Sequence, residues 1–157
     1  MSTLSSQLTS IRCATALTPS GWQRNCVIKF DQSGRIESIR ENDDSAVDLC
    51  LEGTVIAGIP NLHSHAHQKV ITGRAEHRVA GQDDFWGWRE LMYRANASLN
   101  PEQLQTIATY LYIDMLQKGY TAVAEFHYLH HRPDGAPYAD RSEMSARLLN
   151  AASEAGI

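Results

Sequence analysis

Apolar and polar residues alternate along much of the first third of the chain, which is the period of a β-strand. Residues 26–30 and 35–39 both alternate in this way, and the turn between them contains Gly34. This arrangement predicts a β-hairpin. Two further turns are predicted, one at Pro19 to Gly21 and one at residues 42–45. We therefore expect an all-β segment over residues 1–57.

The pattern changes near residue 54. Residues 54–62 are mostly apolar and run without alternation, as in a strand that is buried on both faces of a parallel sheet. We expect one buried strand here and a domain boundary just before it, so that residues 58–157 form a second domain.

Apolar residues at helical spacing then predict three helices. The first has Asp83 or Asp84 as its N-cap. The second has Asn100 as its N-cap and proline at the first helical position, and it ends near Lys118 and Gly119. Its apolar stripe consists of Leu104, Ile107, Ala108, Leu111 and Met115. Because an alternating strand follows at 121–126, strand, helix and strand form a βαβ unit with two parallel strands.

The third helix is predicted near the carboxyl end of the sequence. Asp140 and Glu143 resemble a capping box at its start, and Gly156 is typical of a helix C-cap. Ile157 then predicts the beginning of another strand. The fold class expected from the whole pattern is α/β, preceded by the small all-β segment.

Composition and charge exclude several classes of protein. Hydrophobic residues make up 43% of the 157 positions, charged residues make up 20%, and the net charge is −4, as in a globular protein with a core. No basic cluster suggests a nucleic-acid partner, and no run approaches the length of a membrane span. The first ten residues lack a signal-peptide pattern, so we expect a cytoplasmic protein. Cys13, Cys26 and Cys50 are widely spaced and are expected to be free thiols.

His63 and His65 carry the chemistry that stands out. Residues two apart in a strand project from the same face, so both imidazoles can reach one metal ion. Imidazole is a good ligand for zinc, iron and nickel. An H-x-H pair by itself is a weak signal, but this one follows an apolar strand and precedes a polar loop.

Residues 60–65 resemble the metal-binding strand of the amidohydrolase superfamily. Within that superfamily, residues 85–94 and 119–131 are similar to the formimidoylglutamate deiminases. The resemblance extends from about Gly58 to the carboxyl end. It implies a (β/α)8 metal-dependent hydrolase barrel of which this chain holds about the first two βα units, since a complete barrel needs about 250 residues. It also implies that the all-β segment over residues 1–57 is part of a β-sandwich subdomain.

The resemblance also implies the site and the reaction. His63 and His65 would be ligands of one divalent metal, Zn²⁺, and Gln68, Arg89 and Tyr128 would bind the substrate. The reaction would be hydrolysis of N-formimino-L-glutamate to N-formyl-L-glutamate and ammonia, in histidine degradation. Two more metal ligands and the acid and base groups would come from later strands, so no catalytic acid or base is assigned here. We expect the full-length enzyme to be a homodimer, and this chain alone to be inactive.

Two other functions fit the sequence. Another deaminase of the superfamily, of guanine or triazine type, shares the H-x-H strand but has no dicarboxylate for Arg89 and Tyr128 to bind. A short, non-catalytic α/β module is the other alternative. Reading the coding DNA beyond Ile157 distinguishes it from a truncated enzyme.

Several residues near these motifs keep more than one interpretation. His67 stands where the family is expected to have an aromatic residue, so we expect it to pack beside the metal and not to bind it. Glu125, inside an apolar strand, is either a buried structural ion or a residue that orients a metal-bound histidine. The loop after the second strand is expected to contain His127, His130 and His131. The core, more than the cover of the substrate pocket, is expected to contain Phe85, Trp86 and Trp88. His77 is expected at the surface.

Overall fold

The computed structural model describes residues 8–74 and 85–157. The chain divides into two compact units, of which the first ends at Ala57 and the second begins at Gly58. Asp83 and Asp84, the predicted N-cap positions, and His77 lie outside the described residues. Within the described residues, none of the helices combines the length and the apolar character needed to cross a bilayer.

The first unit contains the strands β1 (Ser10–Thr18), β2 (Gly21–Phe30), β3 (Ile36–Arg40) and β4 (Leu49–Val55). They form one sheet in the order β3-β2-β1-β4. Strand β2 pairs antiparallel with both β1 and β3, and β4 pairs parallel with β1. The hairpin predicted around Gly34 is confirmed, because Ile28 pairs with Ile39 across β2 and β3.

The core of this unit lies on one face of β1 and β2. Cys13 and Cys26 are direct cross-strand partners and are both fully buried, together with Ile11, Ala16 and Ile28. All three cysteines are free, as predicted, although Cys50 is exposed. Cys13 and Cys26 therefore behave as small apolar core residues.

The second unit is mixed α/β, which confirms the coarse fold class. Its described elements are β5 (Ile59–Ser64), a 3₁₀-helix (Ala66–Ile71), α1 (Phe85–Asn96), α2 (Pro101–Gln117), β6 (Tyr120–Glu125) and α3 (Glu143–Ala155). Strands β5 and β6 are parallel and are connected through helices, and α3 follows β6. The core forms where α2 and α3 pack together, around Leu104, Tyr112 and Met144.

The single strand predicted over residues 54–62 is wrong. Thr54 and Val55 belong to β4 and pair with β1 in the first unit, whereas β5 begins at Ile59 in the second. The expected burial on both faces is also wrong, because Leu62 is 77% exposed in the two-stranded sheet. An apolar run shows where strands are favoured, but the partner strands decide where each one ends and how far it is buried.

Helix α2 follows its sequence signals closely. The Asn100 side chain accepts a hydrogen bond from the Gln103 backbone N–H, and the Gln103 side chain accepts one from the Asn100 N–H. This reciprocal pair is a capping box. Gly119, just beyond the helix, has a φ of 88°, a conformation that glycine adopts without strain.

One detail of α3 differs from the prediction. The N-cap is Ser142, and Asp140 accepts hydrogen bonds from the Ser142 backbone and hydroxyl instead of capping the helix itself. The N–H of Ile157 donates to the Ala152 carbonyl at 3.1 Å and closes the end of the helix, and the strand predicted to begin at Ile157 stays a prediction. The predicted C-cap at Gly156 is confirmed, with a left-handed φ of 88°.

The prediction that the aromatic side chains of α1 lie in the core is wrong. Phe85 and Trp86 are each 63% exposed, and Trp88 is 36% exposed. The buried side of α1 carries Met92 and Asn96 instead. Helical spacing identifies one face of α1, but the surrounding elements decide which residues of that face they cover.

Candidate metal and substrate site

His63 and His65 converge at the carboxyl end of β5. Their Nε2 atoms are 2.8 Å apart, and the two rings meet edge to face. His65 lies just beyond the strand but keeps an extended φ of −135°, so its side chain stays on the same face as that of His63. The structure therefore brings the two predicted ligands together.

A backbone carbonyl fixes the protonation pattern of His65. Its Nδ1 lies 2.9 Å from the Phe126 carbonyl oxygen, which follows β6 directly. Because a carbonyl oxygen only accepts hydrogen bonds, Nδ1 carries the proton, and Nε2 of the neutral ring keeps its lone pair. This is the tautomer that binds a metal ion through Nε2.

These two nitrogens fit part of a zinc site. Catalytic zinc usually takes three protein ligands, among which histidine nitrogen is common. Residues 8–74 and 85–157 contain no group of three or more His, Cys, Asp or Glu side chains placed to hold a metal ion. The described residues thus offer a two-histidine half-site.

Gln68 and Tyr128 lie together beside the histidines. The Gln68 amide nitrogen is 3.3 Å from the Tyr128 hydroxyl, and both groups donate to the Met92 sulfur, at 3.5 Å and 2.6 Å. The Tyr128 ring is 6.5 Å from the His65 ring. Since thioether sulfur is a weak acceptor, a ligand oxygen can replace Met92 at both donors.

Arg89 makes different contacts. Its guanidinium carbon lies 5.3 Å from the Trp86 ring centroid and 5.1 Å from that of Tyr93, all on α1. Aromatic faces attract a guanidinium by cation–π interaction and leave its edge open to hydrogen bonding. The contacts that join Gln68 to Tyr128 do not include Arg89.

His67 is fully buried beside the half-site. Its ring lies edge to face with Tyr128 at 4.6 Å, and neither ring nitrogen has a hydrogen-bond partner among the described residues. Burial, followed by the charges of His65 and His127, lowers its pKa to about 4. His67 is therefore a neutral packing group at pH 7.

Glu125 links the end of β6 to the residue that follows His65. One carboxylate oxygen, Oε1, accepts a 2.6 Å hydrogen bond from the Ala66 backbone N–H, and the other is buried. Burial, and then the nearby charge of Glu125, raise the pKa of the Tyr112 hydroxyl. Sequence reasoning named Glu125 but missed Tyr112 and the contact with Ala66, since neither leaves a local sequence signal.

The histidines after β6 lie outside the half-site. His127 Nδ1 is 3.2 Å from the Leu129 carbonyl, so Nδ1 carries the proton, and His127 Nε2 accepts from the Ser145 hydroxyl at 2.9 Å. The pKa of His127 is lowered, and burial is the main cause. His130 and His131 are exposed. These contacts tie the loop to α3.

Comparison with known proteins identifies the family that this arrangement resembles. No protein-family model matches the chain. A curated formimidoylglutamate deiminase from Pseudomonas aeruginosa is 51% identical over 152 residues, which cover 96% of this chain and 33% of that enzyme. The chain matches the N-terminal part of a formimidoylglutamate deiminase. The resemblance inferred from the sequence is confirmed, and the chain spans about a third of the length of its relative.

Solved structures agree with this match. An amidohydrolase from Brucella melitensis superposes with a TM-score of 0.87 at 45% identity, over 95% of this chain and 33% of that one. The zinc-complexed atrazine chlorohydrolase from Arthrobacter aurescens gives a TM-score of 0.72 at 19% identity, over 94% of this chain and 34% of its own. At that identity the second comparison shows the fold alone.

Proposed function

We propose that this chain provides the N-terminal part of a zinc-dependent deiminase. The enzyme hydrolyses N-formimino-L-glutamate to N-formyl-L-glutamate and ammonia. The observation that carries the proposal is the convergence of His63 and His65 at the end of β5, beside the polar pair Gln68 and Tyr128. The match to a formimidoylglutamate deiminase supports this choice of substrate.

In this proposal His63 and His65 hold the metal ion through Nε2. The Phe126 carbonyl keeps the proton of His65 on Nδ1, so Nε2 is available as a ligand. When bound, zinc supplies Lewis acidity, which makes water a competent nucleophile near neutral pH. The remaining ligands and the acid and base groups lie outside the described residues.

Substrate binding is assigned to Arg89, Gln68 and Tyr128. N-formimino-L-glutamate carries two carboxylates, and a guanidinium pairs with a carboxylate through two parallel hydrogen bonds. Stacking on Trp86 and Tyr93 restricts the Arg89 side chain and leaves the edge of the guanidinium open for such a pair among the described residues. Gln68 and Tyr128 donate to substrate oxygens in place of the Met92 sulfur.

The same proposal extends to the architecture of the complete enzyme. Strands β5 and β6, with the helices that follow them, are the first two βα units of a (β/α)8 barrel. The site then lies at the carboxyl ends of the strands, where such barrels build their active sites. The complete enzyme is a cytoplasmic homodimer.

Replacing Arg89 tests the substrate assignment. In the full-length enzyme, Arg89→Ala is expected to lower kcat/KM for formiminoglutamate by about 10- to 100-fold, the loss of a charge-assisted hydrogen bond worth about 1.5–3 kcal/mol. Activity on a neutral amidine is expected to change little. Initial rates of ammonia release measure both.

Arg94→Ala is the matched control, because Arg94 is an exposed arginine on the same helix. It is expected to leave both rates unchanged. Equal losses on the two substrates in Arg89→Ala would contradict the carboxylate contact. Ammonia release from guanine, with none from formiminoglutamate, would contradict the proposed reaction.

A further inference from the structure

Three contacts from the end of β6 hold the segment that contains His65. The Phe126 carbonyl accepts from His65 Nδ1 at 2.9 Å, and the adjacent residue, Glu125, accepts from the Ala66 backbone N–H at 2.6 Å. The Phe126 N–H also donates to the Ser64 carbonyl at 2.9 Å. The backbone on both sides of His65 is therefore attached to two neighbouring residues of β6 and its end.

The Glu125 bond is of the strong kind. A carboxylate oxygen that accepts from a backbone N–H at 2.6 Å forms a charge-assisted hydrogen bond, which is shorter and stronger than a neutral one. It also begins the 3₁₀-helix Ala66–Ile71, whose preceding residue, His65, makes no side-chain cap of its own. Glu125 thus fixes the point where the chain leaves β5.

Stability alone does not account for a carboxylate at this position. Its second oxygen, Oε2, is buried and has no hydrogen-bond partner among the described residues. The buried Tyr112 hydroxyl lies beside the carboxylate, and burial, the Glu125 charge and a hydrogen bond with Glu125, in that order, raise the pKa of Tyr112. Even with that contact, a carboxylate that is partly withdrawn from water usually costs more than an apolar side chain of similar size.

We propose that Glu125 is a positioning residue for the metal half-site. By holding the Ala66 N–H, it sets the direction of the His65 side chain, so that Nδ1 meets the Phe126 carbonyl and Nε2 faces His63. This inference rests on the proposed metal site. Glu125 touches neither the metal nor the substrate, and it acts through the backbone of Ala66.

Three substitutions separate positioning from charge. Glu125→Gln keeps an oxygen that reaches the Ala66 N–H but removes the charge. Glu125→Asp keeps the charge but is one methylene too short to reach it, and Glu125→Ala removes both. Glu154→Ala is the matched control, because Glu154 accepts hydrogen bonds from Gln105 and Thr109 away from the half-site.

The measurements are zinc affinity by calorimetry and the ring ¹⁵N shifts of His65 by NMR, made on the full-length polypeptide that carries this sequence. We expect Glu125→Ala and Glu125→Asp to weaken zinc binding about 10- to 100-fold, the usual effect of losing an outer-shell partner. Both should give a mixture of His65 tautomers. Glu125→Gln should retain the Nδ1–H tautomer and bind zinc clearly more tightly than Glu125→Asp. Glu154→Ala should change neither.

Three results would overturn the proposal. Zinc affinity unchanged within twofold in Glu125→Ala, with only a lower melting temperature, would make the role purely structural. An affinity higher in Glu125→Asp than in Glu125→Gln would assign the effect to charge. Equal losses in Glu125→Gln and Glu125→Ala would exclude the Ala66 bond. If Glu125→Ala does not fold, the comparison of Glu125→Gln with Glu125→Asp decides alone.

This test does not depend on the proposed reaction. The His65 tautomer is measured without metal and without substrate, so an enzyme that releases no ammonia from formiminoglutamate still reports on Glu125. Conversely, equal zinc affinity in the wild type and in His63→Ala would contradict the proposed metal site. The tautomer comparison would remain a test of Glu125.

Discussion

His65 and His67 are two residues apart, yet their surroundings give them different chemistry. His65 is half-buried and donates from Nδ1 to a backbone carbonyl, which leaves the lone pair of Nε2 available. His67 is fully buried among rings, and its pKa falls to about 4. At residue scale, one partner atom makes His65 fit for its proposed role as a metal ligand, whereas His67 is a packing group.

Asp48 offers a test of a single carboxylate in the first unit. Its Oδ2 accepts from the hydroxyl of Thr9 at 2.7 Å, from the backbone N–H groups of Thr9 and Ser10 at 2.9 Å, and from the Ser10 hydroxyl at 3.2 Å. These bonds, the Thr9 hydroxyl first, lower the pKa of Asp48 in the folded chain. The stabilisation is therefore present above the ordinary aspartate pKa of about 4 and is lost as the pH falls through the lowered folded value.

Asp48→Asn is expected to lower the free energy of unfolding at pH 7, and the difference from wild type should shrink as the pH approaches 3. Urea unfolding across this range measures it. Asp44→Asn replaces another exposed aspartate in the same unit as the control. A deficit in Asp48→Asn that stays constant with pH would contradict the assignment.

At the scale of elements, the close approach of Gly58 to Thr121 in β6 fixes the chain just before β5. A Cβ placed on Gly58 would overlap the Thr121 side chain in β6, at distances that real Cβ atoms do not reach. Glycine is thus required by the spacing of the two strands and not by its own φ.

Gly58→Ala is expected to destabilise the second unit by about 1–3 kcal/mol, the usual cost of overpacking. Thr121→Ala removes the overlapping atoms, so the double variant should recover most of the loss. Gly53→Ala is the matched control, because a Cβ there meets nothing within 4 Å. Thermal unfolding compares the wild type with the four variants, namely the three single substitutions and the double one. Additive losses in the double variant would argue against the overlap.

At the scale of the whole molecule, the described residues bring two histidines together, whereas the proposed catalytic zinc would usually take three ligands from the protein. The sheet that carries them has two strands, and one side of β5 exposes Leu62 to solvent. The chain also covers a third of the deiminase that it matches. These features fit the proposal that the described residues hold a two-histidine half-site of a longer enzyme.

The purified 157-residue chain is therefore expected to release no ammonia from formiminoglutamate above the uncatalysed rate, with or without added zinc. A coupled ammonia assay measures this, and the full-length Pseudomonas relative serves as the positive control. Measurable turnover by the chain alone would refute the prediction. Its zinc binding should also be weak, because the described residues bring together two histidine nitrogens, those of His63 and His65, and no third group for the proposed metal.

The sequence by itself determined the features that local chemistry specifies. Helix α2 is readable because its capping box, N-terminal proline and terminal glycine all act within a few residues. The H-x-H spacing likewise puts His63 and His65 on one face, since alternation belongs to any extended strand. The similarity to deiminases came from motifs that stand in order along the chain.

Only the tertiary structure decided what depends on contacts between distant residues. Glu125 and Ala66 are 59 positions apart, and nothing near either one predicts their hydrogen bond. The tautomer of His65 was likewise decided by a carbonyl 61 positions away. Residues 54–62 were divided between two strands because those strands pair with different partners. Pairing between strands and burial depend on neighbours that the sequence does not specify locally, so this part of the site and of the fold required the structure.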